Sequence, residues 1–231
     1  MLEKLKKEVY EANMQLWKSG LVIFTWGNVS GIDEEKKLVV IKPSGVDYQE
    51  MTIDDMVIVD LEGNKIEGKY KPSSDTPTHL EIYKKYSSVK GIVHTHSRWA
   101  TIYAQAGKEI KTYGTTHADY NYGSFMCTRD LKEDEITNNY EKNTGKVIIE
   151  QLEKVNIEDT VGILVKSHGP FTWGENPKKA VENAIVLEEI AMMAYHTEIL
   201  NGQISNIQLN LQNKHFFRKH GKNAYYGQNK K

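Results

Sequence analysis

Cysteine is nearly absent: Cys127 stands alone in 231 residues, which excludes an intrachain disulfide and any Cys-based zinc site. Proline is scarce too, at five residues, so collagenous and Pro-rich disordered classes drop out. Neither sign of charge dominates, with 30 Lys and Arg against 31 Asp and Glu. That balance leaves no nucleic-acid footprint and no polybasic membrane patch. No apolar run approaches the roughly 20 residues that span a bilayer. Acidic and basic residues from position 3 onward leave no signal-peptide core, so a cytoplasmic, soluble protein is expected. Of the residues, 39% are hydrophobic, enough for a chain of this length to bury a real core. Repeats, low-complexity linkers and composition shifts are lacking, and residues 1–231 read as one α/β domain.

What is present is periodic. Leu2, Leu5, Val9, Ala12 and Leu16 recur at spacings of three and four, predicting a helix over 2–19 stopped by Gly20. "LVIFTWGNVSG" reads as a strand running into a Gly/Asn/Ser loop, and "KLVVIKPSG" as a strand ended by a Pro-Ser-Gly turn. "MVIVDLEGNKIEG" has the alternation and turn of a hairpin. Ser73, Ser74, Asp75 and Thr76 are N-cap types before Pro77, so a helix begins there. "GIVHTHS" predicts a strand and "RWATIYAQAG" a helix with Ser97 as its cap; "VGILVKSHGPFTWG" predicts a buried strand ending in a polar turn. The longest helix runs through "NPKKAVENAIVLEEIAMMAYHTEIL", with Asn176 as cap and Pro177 behind it. Strand spacing is too uneven for simple βαβ alternation.

Chemistry first shows in "VHTHS". If the strand continues through it, His94 and His96 share a face at roughly 6–7 Å between Cα atoms, close enough for both rings to reach one ion. His168 follows a similar apolar run, and three imidazoles with an open position are how catalytic zinc sites are built. The spacing alone also allows a strand-end pair bonded to the backbone. His79, His117, His196, His215 and His220 have no same-face partner and read as structural. "TWGNVSG", "KPSG" and "KPSSD" have the small residues and hydroxyl or amide donors of phosphate cradles, the last opening a helix whose free N–H groups favour an anion. Asp75 is the natural carboxylate to approach the metal or move a proton.

"TWGNVS", "IKPSGVDY", "KPSSDTPTH", "GIVHTHSRWATI", "GTTHADY", "SHGPF", "AIVLEE" and "KHFFRKHGKNAYYGQ" together resemble the bacterial L-ribulose-5-phosphate 4-epimerases. These form a branch of the class II aldolase/adducin-head superfamily, and the likeness runs from residue 1 to about residue 228. The resemblance implies a mostly antiparallel central sheet flanked by helices, and a fourfold homotetramer with active sites at subunit interfaces. It implies one zinc ion per subunit, with manganese or cobalt as alternatives, held by His94, His96 and His168 with Asp75 as the associated carboxylate. Gly27, Asn28, Ser44, Gly45, Ser73 and Ser74 match the substrate and phosphate segments. Asp119 and Tyr226 match the acid/base pair, the tyrosine coming from a neighbouring subunit. Lys166 departs from relatives that often carry a histidine there, but it is not a ligand position. The implied reaction interconverts L-ribulose 5-phosphate and D-xylulose 5-phosphate by C3–C4 cleavage, rotation of the glycolaldehyde fragment and re-addition. No Schiff-base lysine is needed, so Lys42 is expected to line the anion pocket. The rivals are an aldolase acting on a deoxyketose 1-phosphate, a scaffold without metal, and a zinc hydrolase. Whether arabinose, ascorbate or another source supplies the pentose is left open.

Overall fold

A computed structural model describes residues 2–33, 35, 37–220 and 224–226. The chain opens with α1 (Leu2–Lys18), whose buried stripe of Val9, Ala12 and Leu16 follows the predicted spacing. Four strands follow: β1 (Asn28–Asp33), β2 (Leu38–Ile41), β3 (Val57–Asp60) and β4 (Lys65–Glu67). Next come α2 (Thr76–Lys85), β5 (Gly91–His94), α3 (Arg98–Ala106) and two short helices, α4 (Thr115–Ala118) and α5 (Glu133–Thr137). The remainder is α6 (Tyr140–Leu152), β6 (Gly162–Val165), β7 (Gly169–Gly174), α7 (Pro177–Leu200) and α8 (Leu209–Lys219).

One seven-stranded sheet runs through the molecule in the order β4-β3-β2-β1-β5-β7-β6. Every pairing is antiparallel, so the expected mixed α/β fold with a mostly antiparallel sheet is the one observed. Both faces are covered, and the strands alternate between them. Val39, Ile41 and Ile92 point into a core shared with Ile82 of α2 and Ile148 of α6. Val40, Ile58 and Val93 point the other way, towards Val9 and Leu16 of α1 and Val181 of α7.

The register gathers one end of the sheet. Asn28, at the start of β1, pairs with His94 at the end of β5, and His94 pairs with Phe171 of β7. The tight turn between β6 and β7 holds His168, with Ser167 at φ 60. Asn28, His94 and the turn histidine His168 therefore meet at one end of the sheet.

Three local expectations are corrected. "LVIFTW" is an irregular loop and the strand is the "NVSG" that follows it; Gly27 at φ 72 breaks the extension just before the ladder to β5 begins. In that loop Val22 is buried, while Phe24 is 73% exposed and Trp26 53%. "VGILVKSHGPFTWG" is a hairpin of two strands, because Phe171 and Trp173 turn back into the core beside Ile163. Strand β5 ends at His94, so His96 reaches its neighbour from a bend and not from strand alternation.

Two histidines read as structural are buried in this core. His79 Nδ1 lies 2.7 Å from Ser30 Oγ, and burial drives its pKa down to about 3, with the Asp75 charge opposing only in part. His117, hydrogen-bonded to the Gly123 carbonyl, is pushed by burial to about 4. The unfolded chain takes protons on both near pH 6.5, whereas the folded chain does not. Stability is therefore full above about pH 6.5 and falls as pH drops towards 4, by up to about 1.4 kcal/mol per pH unit for each ring. Urea midpoints at pH 7 and pH 5 check this; equal midpoints would contradict it.

Candidate active site

The three expected imidazoles come together. His94 Nδ1 donates to the Pro170 carbonyl at 3.0 Å, which fixes the tautomer and leaves Nε2 with a free lone pair. The His94 ring also stacks on Phe171, with centroids 4.2 Å apart. His96 Nε2 lies 3.1 Å from His94 Nε2, and His168 closes the group, its ring 4.6 Å from His94 and 5.0 Å from His96. One nitrogen from each ring falls within 4.8 Å of the others. Tyr140 Oη stands 3.4 Å from His168 Nδ1.

Two of these rings are biased towards the neutral form. Partial loss of hydration at His96 and burial at His168, and then the neighbouring imidazoles, hold His96 below its usual value and push His168 down to about 3. Metal ligation needs unprotonated nitrogens, and two ring nitrogens facing each other at 3.1 Å suit a shared cation better than a shared proton. The residues fit a divalent ion. Three imidazoles suit zinc and leave an open coordination position.

Asp75 caps α2 by position, but its side chain makes no cap bond. Its Oδ2 accepts Asn28 Nδ2 at 2.7 Å. Burial alone would raise its pKa, but His94, His79 and the Asn28 bond outweigh it and hold the carboxyl below the usual range. It stands outside the group formed by the three rings.

These residues line a cavity of about 490 Å³, and all six expected substrate positions line it too: Gly27, Asn28, Ser44, Gly45, Ser73 and Ser74. Cross-bonds hold the three loops together. Asn28 Nδ2 donates to Ser73 Oγ at 3.0 Å, Ser73 N donates to the Lys42 carbonyl and Ser44 N to the Lys71 carbonyl, each at 3.0 Å. Trp26, from the "TWGNVSG" motif, lines the cavity too, as do Tyr140 and Glu141, to which no motif pointed.

Lys42 lines this cavity as expected, but its ammonium has another task. Nζ donates to the carbonyls of Thr25 at 3.3 Å, Pro43 at 3.3 Å and Val46 at 2.9 Å, and sits 4.6 Å from the Tyr48 ring centroid. Three donors meet three acceptors. Tyr48 Oη in turn donates to the Trp26 and Gly27 carbonyls, so the pair joins two of the substrate loops. Burial lowers the lysine to about 8. Lys42→Met strands three carbonyls, and an expected loss of about 1–3 kcal/mol is checked by thermal melting; an unshifted midpoint would contradict the role.

Asp119 and Tyr226 lie elsewhere. They line a second cavity, of about 700 Å³, that shares no lining residue with the first. Asp119 accepts Arg218 Nε at 3.1 Å and Nη2 at 2.8 Å, with His215 Nδ1 at 3.1 Å and Lys219 Nζ at 3.3 Å. Burial raises its pKa, but these bonds and charges prevail and keep it low. The Tyr226 ring packs against the Arg218 guanidinium and Lys219 ammonium, each 4.6 Å from its centroid. The sequence reading brought only the tyrosine from another subunit; in one chain, both members of the pair sit together and apart from the imidazoles. His215 and His220 were expected to be structural, without a partner on the same face. His215 lies on α8, where spacings of three and four put 215, 218 and 219 on one face; that spacing was the available signal.

Residues 7–195 match the family described as Class II Aldolase and Adducin N-terminal domain. Similar solved structures include an L-fuculose 1-phosphate aldolase, 23% identical with a TM-score of 0.77, covering 92% of this chain and 94% of that one. Another is the L-fuculose 1-phosphate aldolase from Glaciozyma antarctica PI12, 20% identical with a TM-score of 0.76, covering 96% of this chain and 84% of that one. A third is YgbL from Escherichia coli, a putative aldolase/epimerase/decarboxylase, 22% identical with a TM-score of 0.72, covering 92% of this chain and 97% of that one. At such identities the structures speak for the fold. The family match spans most of the chain and includes all three imidazoles: this protein belongs to the class II aldolase and adducin N-terminal domain family.

Proposed function

We propose that this family member is an L-ribulose-5-phosphate 4-epimerase. The observation that carries the reading is a pair of proton-handling groups, Asp119 and Tyr226, facing one cavity in a chain that also builds a three-imidazole site beside phosphate-type loops.

In a 2-ketopentose 5-phosphate the C4 hydrogen is β to the carbonyl, so direct deprotonation gives a carbanion with no electron sink. Breaking C3–C4 moves the electron pair towards the carbonyl instead. His94, His96 and His168 would hold a divalent cation, which would supply Lewis-acid stabilisation of the negative charge that develops as C3–C4 breaks, worth several kcal/mol in kind. Ser44, Ser73, Ser74 and the backbone at Gly27 and Gly45 hold the phosphate-bearing fragment, while Asn28 orients Asp75 through its 2.7 Å bond. The phosphate-bearing fragment is the aldehyde, glycolaldehyde phosphate, and inverting C4 requires its carbonyl end to present the other face while its phosphate stays held. One group takes the C4 hydroxyl proton on cleavage and another returns a proton on the opposite face. Asp119 and Tyr226 fill those two roles better than one shared base.

Because the pair and the imidazoles line separate cavities in one chain, this reading assembles each site from two subunits. The pair of one copy faces the metal of its neighbour in a homotetramer with one zinc per subunit. The same reading takes the chain as a single domain working in the cytoplasm. Among the described residues, no helix is long and apolar enough to cross a membrane.

The second reading is an aldolase that releases its products, favoured by the printed names of two similar structures. Incubating metal-replete protein with L-ribulose 5-phosphate separates them. The epimerase yields D-xylulose 5-phosphate with little free glycolaldehyde phosphate. Accumulating glycolaldehyde phosphate and dihydroxyacetone without the epimer would overturn the proposal in favour of a lyase.

A further inference from the structure

We propose that Glu188 is a positioning residue for the metal site, fixing His96 and His168 relative to each other through helix α3. The inference rests on the reading that the three imidazoles hold a divalent cation.

Glu188 lies on α7 and is 8% exposed, beside the apolar cluster of Ala100, Ala104, Leu187, Ile190 and Ala191. A carboxylate in such surroundings is costly unless each oxygen is hydrogen-bonded. Here each is. Oε1 accepts Trp99 N at 2.9 Å and Oε2 accepts Ala100 N at 3.0 Å. These are orphan donors of the first turn of α3, and the negative charge sits at the positive end of the helix dipole. Ser97 occupies the N-cap position, but its side chain makes no cap bond. The clamp therefore comes from a different helix, 88 and 89 residues away in sequence. A local serine cap would stop fraying; a carboxylate on α7 also sets where α3 sits.

Both ends of α3 are tied to a ligand-bearing turn. Its N-terminus is continuous with the Thr95–Ser97 bend that carries His96, where Ser97 N donates to Thr95 Oγ1 at 3.3 Å. Near its C-terminus the Ala104 carbonyl accepts Ser167 N at 2.9 Å, one residue before His168. His96 is exposed, so backbone placement and not packing directs its ring. Helix α3 is a bar between two ligands, and Glu188 is the bracket that fixes the bar.

The test is metal affinity of the purified full chain, measured by competition with a chromophoric chelator for Zn²⁺ and by the visible absorption of bound Co²⁺. In Glu188→Gln an amide NH2 replaces one acceptor and opposes a backbone N–H. Affinity is expected to fall about 10- to 100-fold, with an altered Co²⁺ spectrum and unchanged helix content. Asn176→Ala, which removes the cap that accepts Lys179 N at 2.8 Å at the start of α7, serves as the comparison. It should lower the melting temperature and leave affinity and spectrum alone. If Glu188→Gln is destabilised but keeps wild-type affinity and spectrum, Glu188 is a stability cap only and the proposal is overturned. Should that variant fail to fold, Glu188→Asp retains the charge with a shorter reach; reduced affinity there supports the proposal and wild-type affinity overturns it. A wild-type protein that binds neither ion refutes the metal reading itself, a different result from either.

Discussion

His96→Ala is expected to lose its bound divalent ion and with it about a thousandfold in turnover, the equivalent of roughly 4 kcal/mol of transition-state stabilisation. The fold should not change. His96 is exposed and lies beyond the end of β5, so its removal opens no core cavity. His94 is a poorer test, because its ring packs on Phe171 and its Nδ1 answers the Pro170 carbonyl; deleting it disturbs the core as well as the site. Metal analysis and circular dichroism on the same His96→Ala sample separate the two effects. A variant that keeps both ion and activity would remove His96 from the ligand set.

The second large effect is expected at the other cavity. Asp119→Asn and Tyr226→Phe should each lower epimerisation by about 10²- to 10⁴-fold while metal content stays at the wild-type level. Tyr226→Phe is the cleaner change, since the ring stays between Arg218 and Lys219 and only the hydroxyl is lost. Asp119→Asn also weakens the hold on α8, because Arg218, His215 and Lys219 all converge on that carboxylate; its helix content must be checked alongside. The separation of the two cavities adds a sharper consequence. Mixing His96→Ala with Tyr226→Phe and allowing subunits to exchange should restore up to roughly a quarter of wild-type activity, through sites that combine an intact triad with an intact pair. No recovery after proven exchange would mean that each chain completes its own site.

How far the sequence reaches depends on whether a feature is local. Helix α1 was legible from its stripe, α7 from Asn176 and Pro177, and the β3–β4 hairpin from its turn, because each is written in consecutive residues. The loop 21–27 was not. Its apolar residues look like a strand until Gly27 and the start of the β5 ladder at Asn28 show where pairing begins. Strand β7 was hidden for the converse reason: the Ser167 turn is short, and Phe171 and Trp173 looked like an extension of the polar turn. The imidazole triad was legible from "HTH" and a third histidine after a like run, even though the assumed strand alternation did not extend to His96. Tyr140 and Glu141 open a helix far from every motif, and only the packing of α6 against α2 brings them to the cavity. Lys42 was seen, but its three carbonyl partners belong to loops whose positions the sequence does not state.

The most direct test of the central claim is X-ray absorption at the metal edge of the zinc-loaded protein. Three imidazole nitrogens at about 2.0–2.1 Å, with the multiple-scattering pattern of histidine rings, are predicted, and the imidazole component should shrink in His96→Ala. A coordination shell of oxygens without imidazole scattering would contradict the account.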